Sequence, residues 1–315
     1  MTGMSIQVIG LNPAVDVEWR IEGYNWNEKT IIQASRSWAG GKPPNVARWL
    51  RFLGAESELL MPCGGEAGKL ILRDLSGWGV KVKRVRIHEE TRTNVMITPE
   101  VGRQLRFNPK GPKLSPAEWQ AVFEKAERGF RKHSLTILSG SLPRAASHGI
   151  HARLVRSARS MKRRVILDCD GKALELGARA KPFMVKPNRF ELAQWSGRDL
   201  RTRLHFKDAA RQLSSVTGAW VFVSLDAGGG MLVNSKKGVS LIASVPKVKA
   251  LNEVGAGDAL LAQLGFRVEK TDDPVEWLKW SLATGTAFVQ VPAGMKIKRA
   301  EISRLARQVD VKALR

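Results

Sequence analysis

The chain has 315 residues, with 52 lysines and arginines against 29 aspartates and glutamates, and a formal net charge of +23 at pH 7. A hydrophobic content of 43% and a charged content of 26% exclude a disordered or fibrous protein. The two cysteines, Cys63 and Cys169, are too few for a disulfide framework and lack the spacing of a zinc site. The sequence shows neither a signal peptide nor an apolar run of the roughly 18 residues that span a membrane, so we expect a cytoplasmic protein with no membrane partner.

The positive charge is concentrated in one region. Residues 101–250 carry 29 basic and 10 acidic groups, or +19, whereas residues 1–100 carry 13 and 11 and residues 251–315 carry 10 and 8. The spacing of Arg153, Arg156 and Arg159 places several cations on one helix face, which is compatible with a binder of nucleic acid or another polyanion. A solvated helix surface explains the same pattern and is the more common case.

Short apolar runs alternate with helical patterns along most of the chain. This alternation predicts a doubly wound, mostly parallel α/β sheet. The predicted strands are Ile6–Leu11, Leu135–Leu138, Val165–Leu167, Phe183–Val185 and Trp220–Ser224. The predicted helices are Pro44–Leu53, Pro116–Phe130, His148–Met161, Phe206–Ser214, Ala256–Arg267, Pro274–Gln290 and Glu301–Gln308.

Two segments interrupt this alternation, at about residues 15–38 and 91–107. Val15, Val17 and Trp19 alternate with polar residues as in a half-buried strand, and neither segment carries a helical pattern. We expect the two segments to pair as a small antiparallel sheet that forms a lid over the main one. Residues 1–315 are then a single domain with an inserted lid.

The segment Asn252–Leu260 has the sharpest pattern for chemistry. Gly255, Ala256 and Gly257 lead directly into an apolar helix, and small residues at a helix start let backbone amides approach an anion. Asp258 in the first turn has two interpretations: a carboxylate that complements the helix dipole, or a general base beside a phosphoryl-transfer pocket. The segment by itself does not decide between them.

Four further segments have the same ambiguity. Gly40-Gly41-Lys42 is either a simple turn into a helix or a ligand-binding helix start, with Asn45 one turn further on. In Lys186–Glu191, Asn188 and Glu191 have the spacing of a capping box, but they also follow a strand, where α/β sheets bind ligands. Ser224–Gly229 and Ser139–Pro143 are each explained by an ordinary turn.

The order of these segments is more specific than any one of them. Together they resemble the ribokinase-like sugar kinases, and within them the phosphofructokinase B (pfkB) family. The resemblance runs from about Gly10 to Val291. The segments that carry it are Asn12–Asp16, Ala39–Arg48, Thr91–Asn94, Ser139–Pro143, Lys186–Glu191, Ser224–Gly229 and Gly255–Asp258.

The resemblance implies an ATP-dependent kinase that uses Mg²⁺ and phosphorylates a sugar phosphate. Fructose 1-phosphate is the first expectation; tagatose 6-phosphate, fructose 6-phosphate or another sugar is the alternative. In relatives the lid often serves as a dimer interface, so the resemblance also implies a homodimer formed through the lid. It makes a nucleic-acid partner the lesser hypothesis.

The resemblance assigns roles residue by residue. Asp258 matches the catalytic base, and the amides of Gly255, Ala256 and Gly257 match the anion hole. The matching substrate-binding residues are Asp16, Gly40, Gly41, Lys42, Asn45, Arg92 and Ser139. The matching nucleotide-binding residues are Lys186, Asn188, Glu191, Ser224 and Gly229, with Asn188 and Glu191 acting on the magnesium ion through water.

Three positions depart from the family pattern. Pro43 stands where relatives usually have glycine, and it stiffens the chain beside Lys42. Glu253 and Ala259 stand where relatives usually have serine or threonine before, and serine after, the Val-Gly-Ala-Gly-Asp segment. None of the three removes the predicted base or the backbone amides.

Overall fold

The computed structural model describes residues 5–291 and 297–314, which form two sheets flanked by helices. The larger sheet has ten strands. Across the sheet they are β14 (Asp310–Ala313), β13 (Val239–Ser244), β12 (Gly230–Asn234), β11 (Trp220–Ser224), β10 (Met184–Val185), β9 (Arg164–Asp168), β8 (Leu135–Ser139), β1 (Ser5–Ile9), β4 (Glu56–Cys63) and β5 (Lys81–Arg86). The seven strands β11, β10, β9, β8, β1, β4 and β5 run parallel to one another. The strands β12, β13 and β14 extend the sheet with antiparallel pairing.

Helices cover both faces of this sheet, as the alternation of strands and helices predicts. On one face lie α1 (Lys42–Leu53), α2 (Gly65–Gly77), α8 (Ala256–Lys270), α9 (Pro274–Val289) and α10 (Arg299–Ala306). On the other lie α3 (Pro116–Lys132), α4 (Ile150–Ser160), α5 (Gly171–Arg179), α6 (Arg189–Ser196) and α7 (Arg203–Thr217). Ile137 packs into the first hydrophobic core and Leu138 into the second, which is why such strands are apolar throughout. Within the part of the chain described, no helix is long and apolar enough to cross a membrane.

The helix ends depend on local capping, and most lie within two residues of the predicted ones. The largest difference is at α7, predicted over Phe206–Ser214 and observed over Arg203–Thr217. The Thr202 side chain accepts a hydrogen bond from the amide of His205 and starts the helix early, and Gly218 ends it in the left-handed conformation.

The smaller sheet is built from the two inserted segments. Its strands are β2 (Ala14–Ile21), β3 (Ala34–Gly40), β6 (Thr93–Pro99) and β7 (Leu105–Phe107), in the order β3-β2-β6-β7. The prediction of an antiparallel sheet is wrong where the two segments meet, because β2 and β6 pair in parallel. The reason is topological: β2 follows β1 and β6 follows β5, and these two strands leave the same edge of the larger sheet in the same direction.

The direction of the crossovers reverses at β1, which has β4 on one side and β8 on the other. Such a reversal opens a crevice at the carboxyl ends of parallel strands, where α/β proteins bind ligands. The ring of Pro43 fills part of this crevice. A Cβ on Gly10, after β1, would overlap that ring, and a Cβ on Gly140, after β8, would lie 3.3 Å from it. The departure at Pro43 therefore has a packing role between β1 and β8.

Candidate active site

Asp258 lies in the first turn of α8, at the same edge of the sheet as the start of α1. The residue is 7% exposed. Asn45, in the first turns of α1, donates a hydrogen bond from Nδ2 to Asp258 Oδ2 at 2.9 Å. The two predicted motifs, which are far apart in the sequence, therefore meet in the structure.

The backbone before Asp258 is shaped by glycine. Gly255 caps α8 with a φ of 99°, in the left-handed region that favours glycine. Gly257 has open space where a Cβ would stand, so a ligand can approach the helix start closely. The first amides of a helix have no intrahelical acceptor, and they attract anions. Of the predicted anion-hole amides, that of Ala256 donates to the Glu253 carbonyl at 3.3 Å.

Burial changes the protonation of Asp258. Loss of solvent raises the pKa of its carboxyl from the ordinary 3.8 to about 6. The Lys42 ammonium and the Asn45 hydrogen bond oppose this rise, while the negative charge of Asp168 reinforces it. A carboxylate that is ionised at neutral pH, but has a pKa close to it, suits proton acceptance.

A cluster of opposite charges surrounds Asp168, at the end of β9. Lys186 Nζ lies 3.0 Å from Asp168 Oδ1, and Lys42 Nζ lies 3.2 Å from Oδ2. Ser139 donates its hydroxyl to the same Oδ2 at 3.2 Å. Burial alone would raise the pKa of Asp168, but the two ammonium groups lower it to about 2. Asp168 is therefore negatively charged at neutral pH and pairs with both lysines.

Asn188 and Glu191 form the capping box that their spacing predicts. Asn188 Oδ1 accepts the amides of Phe190 and Glu191 at 2.8 Å, and Glu191 Oε2 accepts the amide of Asn188 at 2.8 Å. The other oxygen of Glu191, Oε1, lies 3.7 Å from Lys42 Nζ. The capping interpretation is confirmed, and it leaves one Glu191 oxygen directed at the charged cluster.

Asp16 marks a second group of residues, at the junction of the two sheets. Asn94 on β6 donates from Nδ2 to Asp16 Oδ1 at 2.7 Å. A Cβ on Gly40 would overlap the Asp16 carboxyl group, so any larger residue would displace that carboxyl group. Burial raises the pKa of the Asp16 carboxyl, although the Asn94 hydrogen bond and the charges of Arg92 and Arg48 oppose the shift.

Arg92 holds the base of the smaller sheet to the crevice. Its Nη1 donates to the Pro109 carbonyl at 2.8 Å and its Nη2 to the Asn12 carbonyl at 3.0 Å. The Asn12 side chain lies within 3.1 Å of acceptors on Lys110, Ser141 and Leu142, and this joins the ends of β1 and β8. Burial lowers the pKa of Arg92, and Asp16 opposes the change.

The remaining predicted positions lie at the start of α1 and in the turn between β11 and β12. Gly41 caps α1 with a φ of 84°, so Lys42 is the first helical residue. Ser224 ends β11, and its amide donates to the Pro187 carbonyl at 3.2 Å. Gly229, with a φ of 87°, lies where a Cβ would overlap the Ala243 carbonyl oxygen. The turn between β11 and β12 thus joins two antiparallel strands, as predicted.

The structure brings the predicted residues into two adjacent groups and adds members that the sequence interpretation missed. Asp168 is the most important of these; its position directly after a buried strand was the available signal. Asn94 and Asn12 lie inside segments that carry the family resemblance, but the resemblance assigns them no role. Ser139, predicted to bind substrate, is fully buried behind Asp168.

Comparison with known proteins finds matches to the sequence and to the fold of this chain. The model of the pfkB family carbohydrate kinases matches residues 21–297. The 1-phosphofructokinase of Rhodobacter capsulatus is 34% identical over 316 residues, covering 99% of this chain and 98% of that protein. The 1-phosphofructokinase of Vibrio cholerae is 31% identical over 310 residues, covering 98% and 97%. The crystal structure of phosphofructokinase-2 from Escherichia coli in complex with fructose-6-phosphate gives a TM-score of 0.88 at 25% identity, covering 98% of this chain and 99% of that one.

The chain therefore belongs to the pfkB family of carbohydrate kinases. It is a sugar kinase with ATP as a substrate, and its fold is the ribokinase-like α/β fold. The predictions of family, enzyme class and fold from the ordered motifs are confirmed.

Proposed function

We propose that this kinase transfers the γ-phosphoryl group of ATP to fructose 1-phosphate, giving fructose 1,6-bisphosphate and ADP. The observation that carries the proposal is the Asp258–Asn45 hydrogen bond, which holds a buried carboxylate beside the start of α8. The two 1-phosphofructokinase relatives support the choice of sugar. Fructose 6-phosphate and tagatose 6-phosphate are the runner-up substrates.

In the proposed reaction a substrate hydroxyl attacks the γ-phosphorus of ATP while the bond to the β-phosphate oxygen breaks. Asp258 accepts the hydroxyl proton, and the amides of Gly255, Ala256 and Gly257 stabilise charge on the transferred group. The proton leaves to solvent after ADP departs. Phosphoryl transfer depends mainly on positioning and electrostatics, so a base with a pKa of about 6 suffices.

Two anionic substrates must lie side by side in this reaction, which requires fixed cations. We propose that Asp16, Arg92 and the Gly40-Gly41 turn hold the sugar phosphate, together with Lys42 and Asn45. Lys186, Ser224 and Gly229 would hold the nucleotide phosphates. Ser139 would act indirectly, by orienting Asp168.

The oxygen ligands that Mg²⁺ prefers are present in this site. Asp168 and Glu191 direct carboxylate oxygens at one cation, the Lys42 ammonium. Within residues 5–291 and 297–314, no group of three His, Cys, Asp or Glu side chains could hold a metal alone. The residues therefore fit an ion that arrives with the nucleotide, and when bound it would neutralise phosphate charge. Asn188 would contribute by orienting Glu191, because its own side-chain oxygen caps α6.

We further propose that the smaller sheet is a lid, and that it forms a homodimer interface. In support, Leu105 and Phe107 on β7 are 38% and 54% exposed, and Trp26 in the loop between β2 and β3 is 84% exposed. In analytical ultracentrifugation the wild-type protein should sediment as a dimer and the Phe107→Glu variant as a monomer. A monomeric wild-type protein would contradict the interface.

The substrate is tested with a panel of fructose 1-phosphate, fructose 6-phosphate, tagatose 6-phosphate and fructose, each with ATP and Mg²⁺. ADP release gives the rate, and ³¹P NMR identifies the product. We expect the highest kcat/KM with fructose 1-phosphate. A higher value with another sugar would transfer the assignment to that sugar, and full activity of Asp258→Asn would refute the mechanism.

A further inference from the structure

The Lys42 ammonium group lies between two carboxylates, Asp168 and Glu191. The proposed metal–nucleotide complex would bind the same two carboxylates. Lys42 Nζ lies 3.2 Å from Asp168 Oδ2 and 3.7 Å from Glu191 Oε1. The Asp168 side chain is 1% exposed and that of Glu191 is 12% exposed. The carboxylate pair therefore already has a cation, supplied by the protein itself.

Of the two lysines that pair with Asp168, Lys42 is the more exposed to solvent. Lys186 pairs with the opposite oxygen, Oδ1, at 3.0 Å, and its side chain is 5% exposed. The Lys42 side chain is 39% exposed, and a long alkyl stem lets an ammonium group reach several positions. Asp168 would thus keep one partner when Lys42 departs.

The backbone of Lys42 shows where the ammonium group can go. Lys42 is the first residue of α1, and Asn45, three positions later on the same helix face, is bonded to Asp258. A Lys42 side chain that leaves the carboxylate pair therefore remains beside the predicted base and the start of α8. That is where the transferred phosphoryl group would develop negative charge.

We propose that Lys42 is a resident counter-ion of Asp168 and Glu191, and that an incoming metal–nucleotide complex displaces it toward the phosphoryl group. An ammonium group and a divalent ion between the same two carboxylates would repel each other strongly. Lys42 thus keeps free metal out until nucleotide phosphates add their own negative charge. The proposal rests on the proposed function only in assuming that a metal accompanies the nucleotide.

The test measures binding of Mn²⁺ alone, without nucleotide or sugar, from the EPR signal of the free ion. The wild-type protein should bind weakly, and Lys42→Met should bind about tenfold more tightly or better, because a competing charge is gone. Lys42→Arg keeps the charge and should bind as weakly as the wild-type protein. Lys42→Gln is a second neutral variant, used if Lys42→Met does not give the thermal unfolding transition of a folded protein.

Lys172→Met is the matched control. This variant loses the same charge as Lys42→Met. Lys172 lines the same small cavity as Glu191, but its ammonium group pairs with Glu175 at 2.8 Å and not with Asp168 or Glu191. Its Mn²⁺ affinity should stay within about twofold of the wild-type value, since exposed charges are screened. The proposal is overturned if Lys42→Met binds no more tightly than the wild-type protein, if Lys172→Met gains as much, or if Lys42→Arg gains as much.

This readout is separate from the choice of sugar. Metal exchange at Lys42 with no turnover of fructose 1-phosphate would refute the substrate and leave the exchange intact. Turnover of fructose 1-phosphate with unchanged Mn²⁺ affinity in Lys42→Met would refute the exchange alone.

Discussion

The Asn45 amide donates to the Asp258 carboxylate at 2.9 Å, although the two residues are 213 positions apart in the chain. This bond joins the starts of α1 and α8 above the crevice between β1 and β8. It orients the buried carboxylate and lowers its pKa, against the larger effect of burial. The relationship leads to the first two predictions.

Replacing Asp258 with Asn should lower activity strongly and stabilise the fold. We expect kcat to fall by about 10²–10⁴, the usual contribution of a general base. Burial raises the pKa of Asp258 from 3.8 to about 6, so its ionisation above pH 6 disfavours the folded state by up to about 3 kcal/mol. The protonated Asp258 carboxyl makes its full contribution to the stability of the fold below pH 3.8, and this contribution is lost as pH rises through 6.

The two effects are measured by steady-state kinetics and by urea unfolding at pH 8. Asp226→Asn, on an exposed turn, is a control for loss of an acidic charge. A variant that loses stability at pH 8, or keeps its wild-type kcat, would contradict the prediction.

The pH profile of kcat should have an acid limb near the pKa of Asp258, about 6, with activity lost as pH falls. In Asn45→Ala this limb should move to higher pH, because the lost hydrogen bond had lowered the pKa. The measurement is kcat against pH with saturating substrates. A limb that moves to lower pH would show that Asn45 does not stabilise the charged form.

Replacing Asp168 with Asn should destabilise the protein severely. Lys186 would keep a buried charge without its counter-ion, which costs about 3–5 kcal/mol. The ionised Asp168 stabilises the fold fully above pH 3.8, and this stability is lost as pH falls toward 2. In Asp168→Asn, the loss of stability that the wild-type protein shows as pH falls from 3.8 toward 2 should therefore be smaller.

Urea unfolding at pH 7, repeated at lower pH, measures both effects. Ser139→Ala removes one hydrogen bond to Asp168 but no charge, and should cost only about 1 kcal/mol. Equal losses in the two variants would mean that the charge of Asp168 is not what stabilises this cluster.

Gly229→Ala should cost more stability than Gly238→Ala. Both residues have positive φ values, 87° and 66°, and Gly229 also has a ψ of −123°, outside the left-handed helical region, so alanine there carries more than the strain of about 1 kcal/mol of a left-handed helical residue. Only at Gly229 would the new Cβ also overlap the Ala243 carbonyl oxygen. Thermal unfolding of the two variants measures this difference, and equal midpoints would show that the turn moves to accommodate a side chain.

Elements with their own local signal could be predicted from the sequence. The capping box at Asn188 and Glu191 depends on residues three positions apart, and the structure has it. The smaller sheet shows the limit of such signals. Alternation predicted its strands, but the parallel pairing of β2 with β6 depends on where β1 and β5 end. No pattern within either inserted segment contains that information.

The charge excess of residues 101–250 was a poor guide to the site. Lys42 and Arg92 come from the nearly balanced first hundred residues, and the middle region contributes Lys186 and the counter-ion Asp168. Net charge describes the surface, whereas the site depends on which charges are buried together.

The sequence by itself determined the family and the alternating architecture, because these depend on ordered motifs and on periodicity. Only the tertiary structure decided which groups touch. Asp258 could meet Asn45, and Asp168 could collect Lys42, Lys186 and Ser139, only after parallel strands had brought their carboxyl ends to one edge. The pKa values of the site follow from that burial, since desolvation and charge pairing exist only in the folded chain.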